Sequence, residues 1–196
     1  EIQPCSLASY LAKMFPLIER EFLNHRPDGI LILGDTNSAL SSIIARRMGI
    51  SVFHLEAGNR SFDSNVPEEI NRRIVDHTAD FNLPYSEIAR LNLLNEGLHP
   101  RFVAKMGSPL FEILEKNKDR INGSNILDKL GFKSHSYFLA SIHRQENVDF
   151  PDRLSTLLLA LNEVSKAYDA PVLVSTHPRT RINIERLKLA LDGNLI

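Results

Sequence analysis

The chain has 196 residues, of which 43% are apolar, and this is enough to bury the core of one or two domains. Its 23 Lys and Arg residues nearly balance its 24 Asp and Glu residues, and the formal charge of -1 argues against nucleic acid or an anionic membrane as a partner. The single cysteine, Cys5, excludes an intrachain disulfide and favours a reducing compartment, so we expect a cytoplasmic protein. No apolar run approaches the length of a membrane span.

Short apolar runs alternate along the chain with stretches of helical periodicity. Five runs are typical of buried strands: residues 29–35, 51–57, 101–107, 136–143 and 170–177. Between and after them lie segments such as SALSSIIARRMG and PEEINRRIVDHTA, with apolar residues at three- and four-residue spacing. The alternation predicts an α/β fold, in which right-handed crossovers join parallel strands and helices cover both faces of the sheet.

The polar stretch KNKDRINGSN (116–125) predicts a change of domain, which divides the chain into residues 1–118 and 119–196. The chain opens on a helical pattern, whereas an independent doubly wound domain normally begins with a strand. It closes on a helix after two strands of the second domain. We therefore expect the C-terminal part of one Rossmann-like domain followed by the N-terminal part of another, both incomplete.

Polar side chains follow four of the predicted strands at the point where each strand ends. In the first domain Asp35 follows one strand and Glu56 ends the next. In the second domain His143 and Arg144 follow one strand, and His177 follows the other. Because ligands of open parallel sheets bind beyond the carboxyl ends of the strands, these two groups could face each other across a cleft.

Most of the acidic residues also have an ordinary structural explanation when each is taken alone. Asp35 precedes TNSAL and is a suitable helix N-cap. Pro67 followed by Glu68 and Glu69 is typical of a helix start, because acids in the first turn complement the helix dipole. Glu56 is harder to explain, since a carboxylate at the end of a buried strand is costly unless it has a partner or a function.

Other charged residues are interpreted as structural. The spacing of Glu69–Arg73 and Arg72–Asp76 predicts two i,i+4 helix pairs. His54 is expected to pack or hydrogen-bond at its strand end without a role in chemistry. Four further histidines are expected at the surface: His25, His77, His99 and His135. The sequence has no zinc-like His/Cys spacing, no GxxxxGK loop and no GxGxxG, so we predict neither a metal nor a cofactor.

Four segments, in order and spacing, resemble the non-hydrolysing UDP-N-acetylglucosamine 2-epimerase family: GDTNSAL, HLEAGNRSFDSNVPEEINRRIVDHTAD, GSPL and HRQEN. The resemblance covers most of the chain, and the HLEAG…PEEINRR block is highly specific. It implies a two-domain fold like that of GT-B glycosyltransferases, with a nucleotide sugar in the interdomain cleft. VPEE, GSP and STHPRTR are similar to the branch that handles modified UDP-2-acetamido sugars. The family's front GTRPE-like loop and its later SGG and TERPE-like segments are absent from this chain.

By matching positions, the resemblance implies four catalytic residues: Asp35, Glu56, Glu68 and His143. It implies three further residues in blocks that contact the substrate or a regulatory nucleotide sugar: Glu69, Arg144 and His177. The implied reaction inverts C2 of a UDP-2-acetamido sugar, such as UDP-GlcNAc to UDP-ManNAc, by eliminating UDP and adding it back through a glycal. Carboxylates suit the proton transfers at C2, and His143 and Arg144 suit the departing diphosphate. The full-length protein is expected to be a homodimer.

Three alternatives remain open from the sequence. A GT-B glycosyltransferase would share the fold and the UDP-sugar, and would need an acceptor. A hydrolysing 2-epimerase would release free sugar and UDP. A nucleotide-sugar binding module would have no need for the acid cluster.

Overall fold

The computed structural model describes residues 6–142 and 144–187. The chain divides into two compact units, Glu1–Asn117 and Lys118–Ile196, and the boundary predicted after residue 118 lies beside this division. Each unit contains its own parallel sheet, so the predicted α/β class is confirmed. Among the described residues, no helix is both long enough and apolar enough to cross a membrane.

The first unit has three parallel strands in the order β1-β2-β3: β1 (Gly29–Leu33), β2 (Ser51–Leu55) and β3 (Phe81–Leu83). The strands predicted at 29–35 and 51–57 are confirmed by β1 and β2. Leu33, the last residue of β1, lies opposite Leu55, the last residue of β2. The chain segments that follow the two strands therefore leave the sheet at the same edge.

The described part of the first unit contains five α-helices: α1 (Leu7–His25), α2 (Ser41–Arg47), α3 (Pro67–Thr78), α4 (Glu87–Asn95) and α5 (Pro109–Lys116). Two short 3₁₀ helices, Asn37–Leu40 and Pro100–Phe102, accompany them. α3 begins with proline at its first position, as predicted. α4 begins after Ser86, whose hydroxyl accepts a hydrogen bond from the N–H of Ala89.

The core of the first unit lies on one face of its sheet. Ile32 of β1 and Val52 of β2 pack with buried residues of three helices, among them Val75 of α3. On the opposite face Leu31 and Leu33 are each 64% exposed, so the prediction that helices cover both faces is wrong for β1. The reason is topological, because successive right-handed crossovers in the order β1-β2-β3 place α2 and α3 on the same side.

The strand predicted at 101–107 is wrong. The run opens on a 3₁₀ helix, and beside β3 it forms an isolated parallel bridge between Val103 and Asn82 and two backbone hydrogen bonds, from Ala104 and Met106, but no strand. Val103 is buried, but Phe102 and Met106 are 40% and 63% exposed, so the run does not cross a core. The sheet continues instead with β3, which the sequence did not predict because its three residues are few and have the polar Asn82 at their centre.

The second unit has two parallel strands, β4 (Phe138–Ser141) and β5 (Val172–Ser175), which confirm the predictions at 136–143 and 170–177. Its described part contains five α-helices: α6 (Lys118–Asn122), α7 (Ile126–Leu130), α8 (Gln145–Val148), α9 (Pro151–Tyr168) and α10 (Pro178–Leu187). Buried Leu154 and Leu158 of α9 contribute to the core of this unit.

Candidate active site

Two of the predicted catalytic carboxylates follow neighbouring strands at one edge of the first sheet. Asp35 lies just beyond the end of β1, and Glu56 is the first residue after β2. The carbonyl oxygen of Gly34 lies 3.0 Å from Nε2 of His54, which ties the two strand ends together. A Cβ placed on Gly34 would lie 3.8 Å from Oε2 of Glu56, so the Glu56 carboxylate rests against the turn that carries Asp35.

Glu56 has a backbone conformation that residues with side chains rarely adopt, with φ of 67°. It is followed by the buried Ala57 and by Gly58, whose φ is 80°. A Cβ on Gly58 would lie only 2.2 Å from the carbonyl oxygen of Ala89, so this close approach requires glycine. The turn holds Glu56 half-buried, and Nδ2 of Asn59 donates to its Oε1 over 3.3 Å.

Arg72 joins Asp35 to the first turn of α3. Its Nη2 lies 2.8 Å from Oδ2 of Asp35, and its Nη1 lies 3.3 Å from Oε2 of Glu69. The predicted Arg72–Asp76 pair is therefore wrong, because a carboxylate distant in sequence takes the guanidinium and Asp76 has other partners. We call Asp35, Glu56 and Arg72 the strand-end site.

The two adjacent acids of α3 have opposite environments. Glu69 is 3% exposed, accepts from the N–H and hydroxyl of Ser61 at 2.9 and 3.1 Å, and pairs with Arg73 at 3.1 Å, which confirms the predicted Glu69–Arg73 pair. Burial alone would raise the pKa of Glu69, but the Ser61 and Arg73 hydrogen bonds and the charge of Arg72 outweigh it and lower that pKa. Glu68 is exposed. The catalytic role of Glu68 and the binding role of Glu69 remain predictions.

Behind the strand-end site, Asp76 is a fully buried carboxylate with several donors. It accepts from Nδ1 of His54 at 2.8 Å, from Nη1 of Arg60 at 2.7 Å and from the backbone N–H of Gly58 at 3.3 Å. His54 is 1% exposed, so its interpretation as a hydrogen-bonded strand-end residue is confirmed. Because Gly58 lies two residues beyond Glu56, the network anchors the turn that carries the Glu56 carboxylate.

Arg60 extends this network to the C-terminal end of α4. Its Nε and Nη2 donate to the two carboxylate oxygens of Glu96 at 2.7 and 2.6 Å, a bidentate geometry. Hydrogen bonds from Arg60 lower the pKa of Glu96 to about 2, although burial works in the opposite direction. Burial likewise opposes the charge of Arg60, but Glu96 and Asp76 together raise the pKa of Arg60 above its ordinary value.

Two of the predicted residues of the second unit, Arg144 and His177, also follow strands but lie at the surface. Arg144 follows β4 and is exposed, and its carbonyl oxygen accepts from the N–H of Asn147. His177 follows β5 and is exposed, and its Nδ1 accepts from the N–H of Arg179 over 3.3 Å. His143 lies outside the described residues. The four histidines predicted at the surface are exposed: His25, His77, His99 and His135.

Sequence reasoning missed the residues that position the strand-end site. Arg60 was given no role, and Asn71, which donates to the carbonyl oxygen of Asp35 and to Oδ1 of Asn37 at 3.0 Å each, was not singled out. One signal was available in α3, because its few apolar residues cannot fill a whole buried face. In the structure Ile70 of α3 is 53% exposed, whereas the polar Asn71 is buried.

The strand-end site combines a carboxylate that can move a proton with a fixed positive charge. Glu56 lies in a rigid turn, and Arg72 neutralises the neighbouring Asp35. Carboxylates held in this way are suited to general acid–base catalysis. Within residues 6–142 and 144–187, no group of three or more His, Cys, Asp or Glu side chains is arranged to hold a metal ion.

The fold and this site define an α/β protein of two units, with carboxylates at the strand ends of the first. Residues 3–194 match the family model described as UDP-N-acetylglucosamine 2-epimerase. The chain is 37% identical over 186 residues to the UDP-2,3-diacetamido-2,3-dideoxy-D-glucuronate 2-epimerase of Pseudomonas aeruginosa, which covers 94% of this chain and 51% of that protein. The chain therefore belongs to the UDP-N-acetylglucosamine 2-epimerase family, and the resemblance found in the sequence is confirmed.

Two solved structures are similar to this chain over more than nine-tenths of its length. The UDP-N-acetylglucosamine 2-epimerase from Rickettsia bellii matches with a TM-score of 0.84 and 40% identity, covering 99% of this chain and 50% of that one. The Methanocaldococcus jannaschii UDP-GlcNAc 2-epimerase, in complex with UDP-GlcNAc and UDP, matches with a TM-score of 0.83 and 33% identity, covering 94% and 52%. The chain spans about half the length of the curated relatives it matches.

Proposed function

We propose that the full-length protein inverts C2 of a UDP-2-acetamido sugar by eliminating UDP and adding it back through a glycal. Membership of the epimerase family supports the reaction class. The observation that carries the proposal is the Glu56 carboxylate, held in a left-handed turn beside the ion pair of Asp35 and Arg72. A residue in this strained conformation is retained where the surrounding structure and a function require it.

The chemistry needs one group that removes the C2 proton and another that returns a proton to the opposite face. Glu56, Asp35 and Glu68 are the proposed acid–base set, and a carboxylate can serve in either direction. Arg72 keeps a positive charge against Asp35 throughout. Because the C2 hydrogen is not adjacent to a carbonyl, loss of UDP must accompany its removal. The bond from C1 to the UDP oxygen breaks as the C1–C2 double bond forms.

Departure of UDP places negative charge on the diphosphate, which requires donors. His143 and Arg144 are the proposed donors to it, and His177 is a further proposed contact with the nucleotide sugar. Glu69 is the third proposed substrate-binding residue, and we propose that it acts indirectly. Its carboxylate is 3% exposed and bonded to Ser61 and Arg72, so it positions other groups.

The proposed substrate is a UDP-2-acetamido sugar. Relatives of this chain are named for sugars that differ in their substituents at C3 and C5. The P. aeruginosa relative is named for a diacetamido uronate, whereas the M. jannaschii relative is named for UDP-GlcNAc. Both compounds carry the C2 acetamido group and the UDP leaving group that the mechanism uses. A substrate panel should therefore include both.

Turnover in D₂O tests the reaction. If the full-length protein eliminates and re-adds UDP, the product carries deuterium at C2 and at no other carbon, as measured by proton NMR. Inversion at C2 without solvent deuterium would contradict the mechanism. Stoichiometric release of UDP and free sugar would identify a hydrolysing enzyme, and transfer of the sugar to an added acceptor would identify a glycosyltransferase.

Two further parts of the proposal concern the whole protein. We infer a cytoplasmic location, supported by the single cysteine of the chain. We also infer a homodimer, supported by the family resemblance. Analytical ultracentrifugation of the full-length protein at several concentrations tests the dimer, and a monomer at micromolar concentration would contradict it.

A further inference from the structure

Tyr85 lies beside the strand-end site, at the end of the neighbouring strand β3. β2 and β3 are parallel neighbours, and their last residues, Leu55 and Leu83, are paired. Glu56 is the first residue after β2, and Tyr85 is the second residue after β3. The sheet therefore carries Glu56 and Tyr85 to the same edge.

The hydroxyl oxygen of Tyr85 is buried, and it has no hydrogen-bond partner among the described residues. A buried hydroxyl without a partner destabilises the folded state, and tyrosine hydroxyls in native structures are generally bonded. Phenylalanine would fill the same space without this unfavourable contribution. The oxygen therefore calls for an explanation other than packing.

Burial first, and the nearby negative charge of Glu56 second, raise the pKa of Tyr85. The phenol consequently keeps its proton throughout the neutral range and is available only as a donor in an interaction with a carboxylate. Glu56 can accept a further hydrogen bond, because Asn59 donates to Oε1 alone, at 3.3 Å.

We propose that the O–H of Tyr85 donates to the Glu56 carboxylate in the working enzyme and acts as a positioning residue for proton transfer at C2. The contact satisfies a hydroxyl that is otherwise buried without a partner among the described residues. With Asn59 on one oxygen and Tyr85 on the other, the carboxylate is fixed in one orientation. The catalytic consequence rests on the proposed function, whereas the contact itself does not.

The contact is tested first, by a measurement that needs no turnover. Ring-fluorinated tyrosine is incorporated into the full-length protein, and its ¹⁹F signals are followed with pH, with Tyr85→Phe assigning the signal of residue 85. Glu56→Gln should lower the pKa of Tyr85, because it removes both the nearby negative charge and the carboxylate that accepts the proposed hydrogen bond. Glu112→Gln, at an exposed position of α5, is the matched control and should leave it unchanged. An unchanged Tyr85 titration in Glu56→Gln would overturn the inference, whether or not the protein is an epimerase.

The consequence for catalysis is tested by Tyr85→Phe, with Tyr168→Phe as a control at a 70% exposed tyrosine. Tyr85→Phe should lower kcat about 10-fold with KM unchanged. Unchanged kcat and KM, together with a higher melting temperature, would show that the hydroxyl has no role in turnover and would overturn the inference. If Glu56→Gln changes the Tyr85 titration but the protein exchanges no proton at C2 of the sugar, the contact is supported and the proposed function is rejected.

Discussion

The polar side chains that follow the parallel strands have different surroundings in the two units. In the first unit, Asp35 is ion-paired to Arg72, and the fully buried Asp76 behind them is bonded to several donors. In the second unit, His177 at the end of β5 is exposed and accepts a local hydrogen bond from the N–H of Arg179. The same strand–helix pattern thus produces an internally bonded site in one unit and a surface group in the other.

This difference has an energetic meaning. Removing Asp76 and Arg60 from water is unfavourable, and only the mutual hydrogen bonds of the buried network offset that penalty. We infer that these buried charges are maintained because they fix the orientation of the Glu56 side chain. The exposed residues of the second unit need no comparable support, which is consistent with groups that bind a ligand from solution.

The largest effect on the reaction is expected from replacing the Glu56 carboxylate of the first unit. Glu56→Gln in the full-length protein should lower kcat by about 10²- to 10⁴-fold, because the amide keeps the volume but cannot transfer a proton.

Glu68→Gln should lower kcat by a similar factor if Glu68 belongs to the acid–base set. If Glu68 is only a first-turn partner of the helix dipole, the rate should stay intact and stability should fall by about 0.3–1 kcal/mol. Rate and melting temperature, measured on each variant, separate these outcomes.

The buried network should be the largest contributor to stability among the ion pairs. Arg60→Met leaves Asp76 and Glu96 without their guanidinium, and we expect a loss of about 3–5 kcal/mol in the free energy of unfolding. Urea denaturation of the full-length protein measures it. A loss below about 1 kcal/mol would mean that the network behaves like a surface pair, and the contrast between the two units would fail.

The acid stability of the first unit should depend on Glu96. Its folded pKa of about 2 lies below the ordinary 4.5, so its contribution is complete above pH 4.5 and disappears as the pH falls toward 2. Glu96→Gln should remove about 1.5–3 kcal/mol at pH 7, in line with hydrogen bonds to charged groups. It should also flatten the pH dependence of the denaturation midpoint between pH 5 and about 2. If the denaturation midpoint of the variant depends on pH as steeply as that of the wild type, other carboxylates determine the acid sensitivity.

The smallest effect is expected in the second unit. Arg179 pairs with Asp149, but the Arg179 side chain is 56% exposed. Arg179→Met should change the free energy of unfolding by about 1 kcal/mol or less, in the same assay as Arg60→Met. A loss comparable to that of Arg60→Met would show that the second unit is also held together by ion pairs.

The sequence predicted the strands that are continuously apolar, because an uninterrupted apolar run is typical of a strand in a parallel sheet. It failed at 101–107, where Phe102 and Met106 are apolar but exposed, and at β3, where a polar residue occupies the centre of a short strand. A run of apolar letters does not reveal which residues meet a neighbouring strand. That information lies in contacts between distant segments.

The site was predictable where it depends on strand ends and unpredictable where it depends on distant partners. Asp35 and Glu56 follow from the rule that chemistry collects beyond parallel strands. Arg72 did not, because spacing along α3 favoured Asp76, whereas the folded chain offers Asp35. Arg60, 16 residues before Asp76, carried no local signal at all.

The left-handed backbone of Glu56 has a consequence for evolution in the laboratory. At φ of 67° a side chain is disfavoured by about 1–2 kcal/mol relative to glycine. A library of variants sorted only for heat resistance should therefore enrich glycine at this position, and the enriched clones should have lost the reaction. Sorting for product should restore glutamate. At this one residue, selection for a durable fold and selection for turnover favour different amino acids.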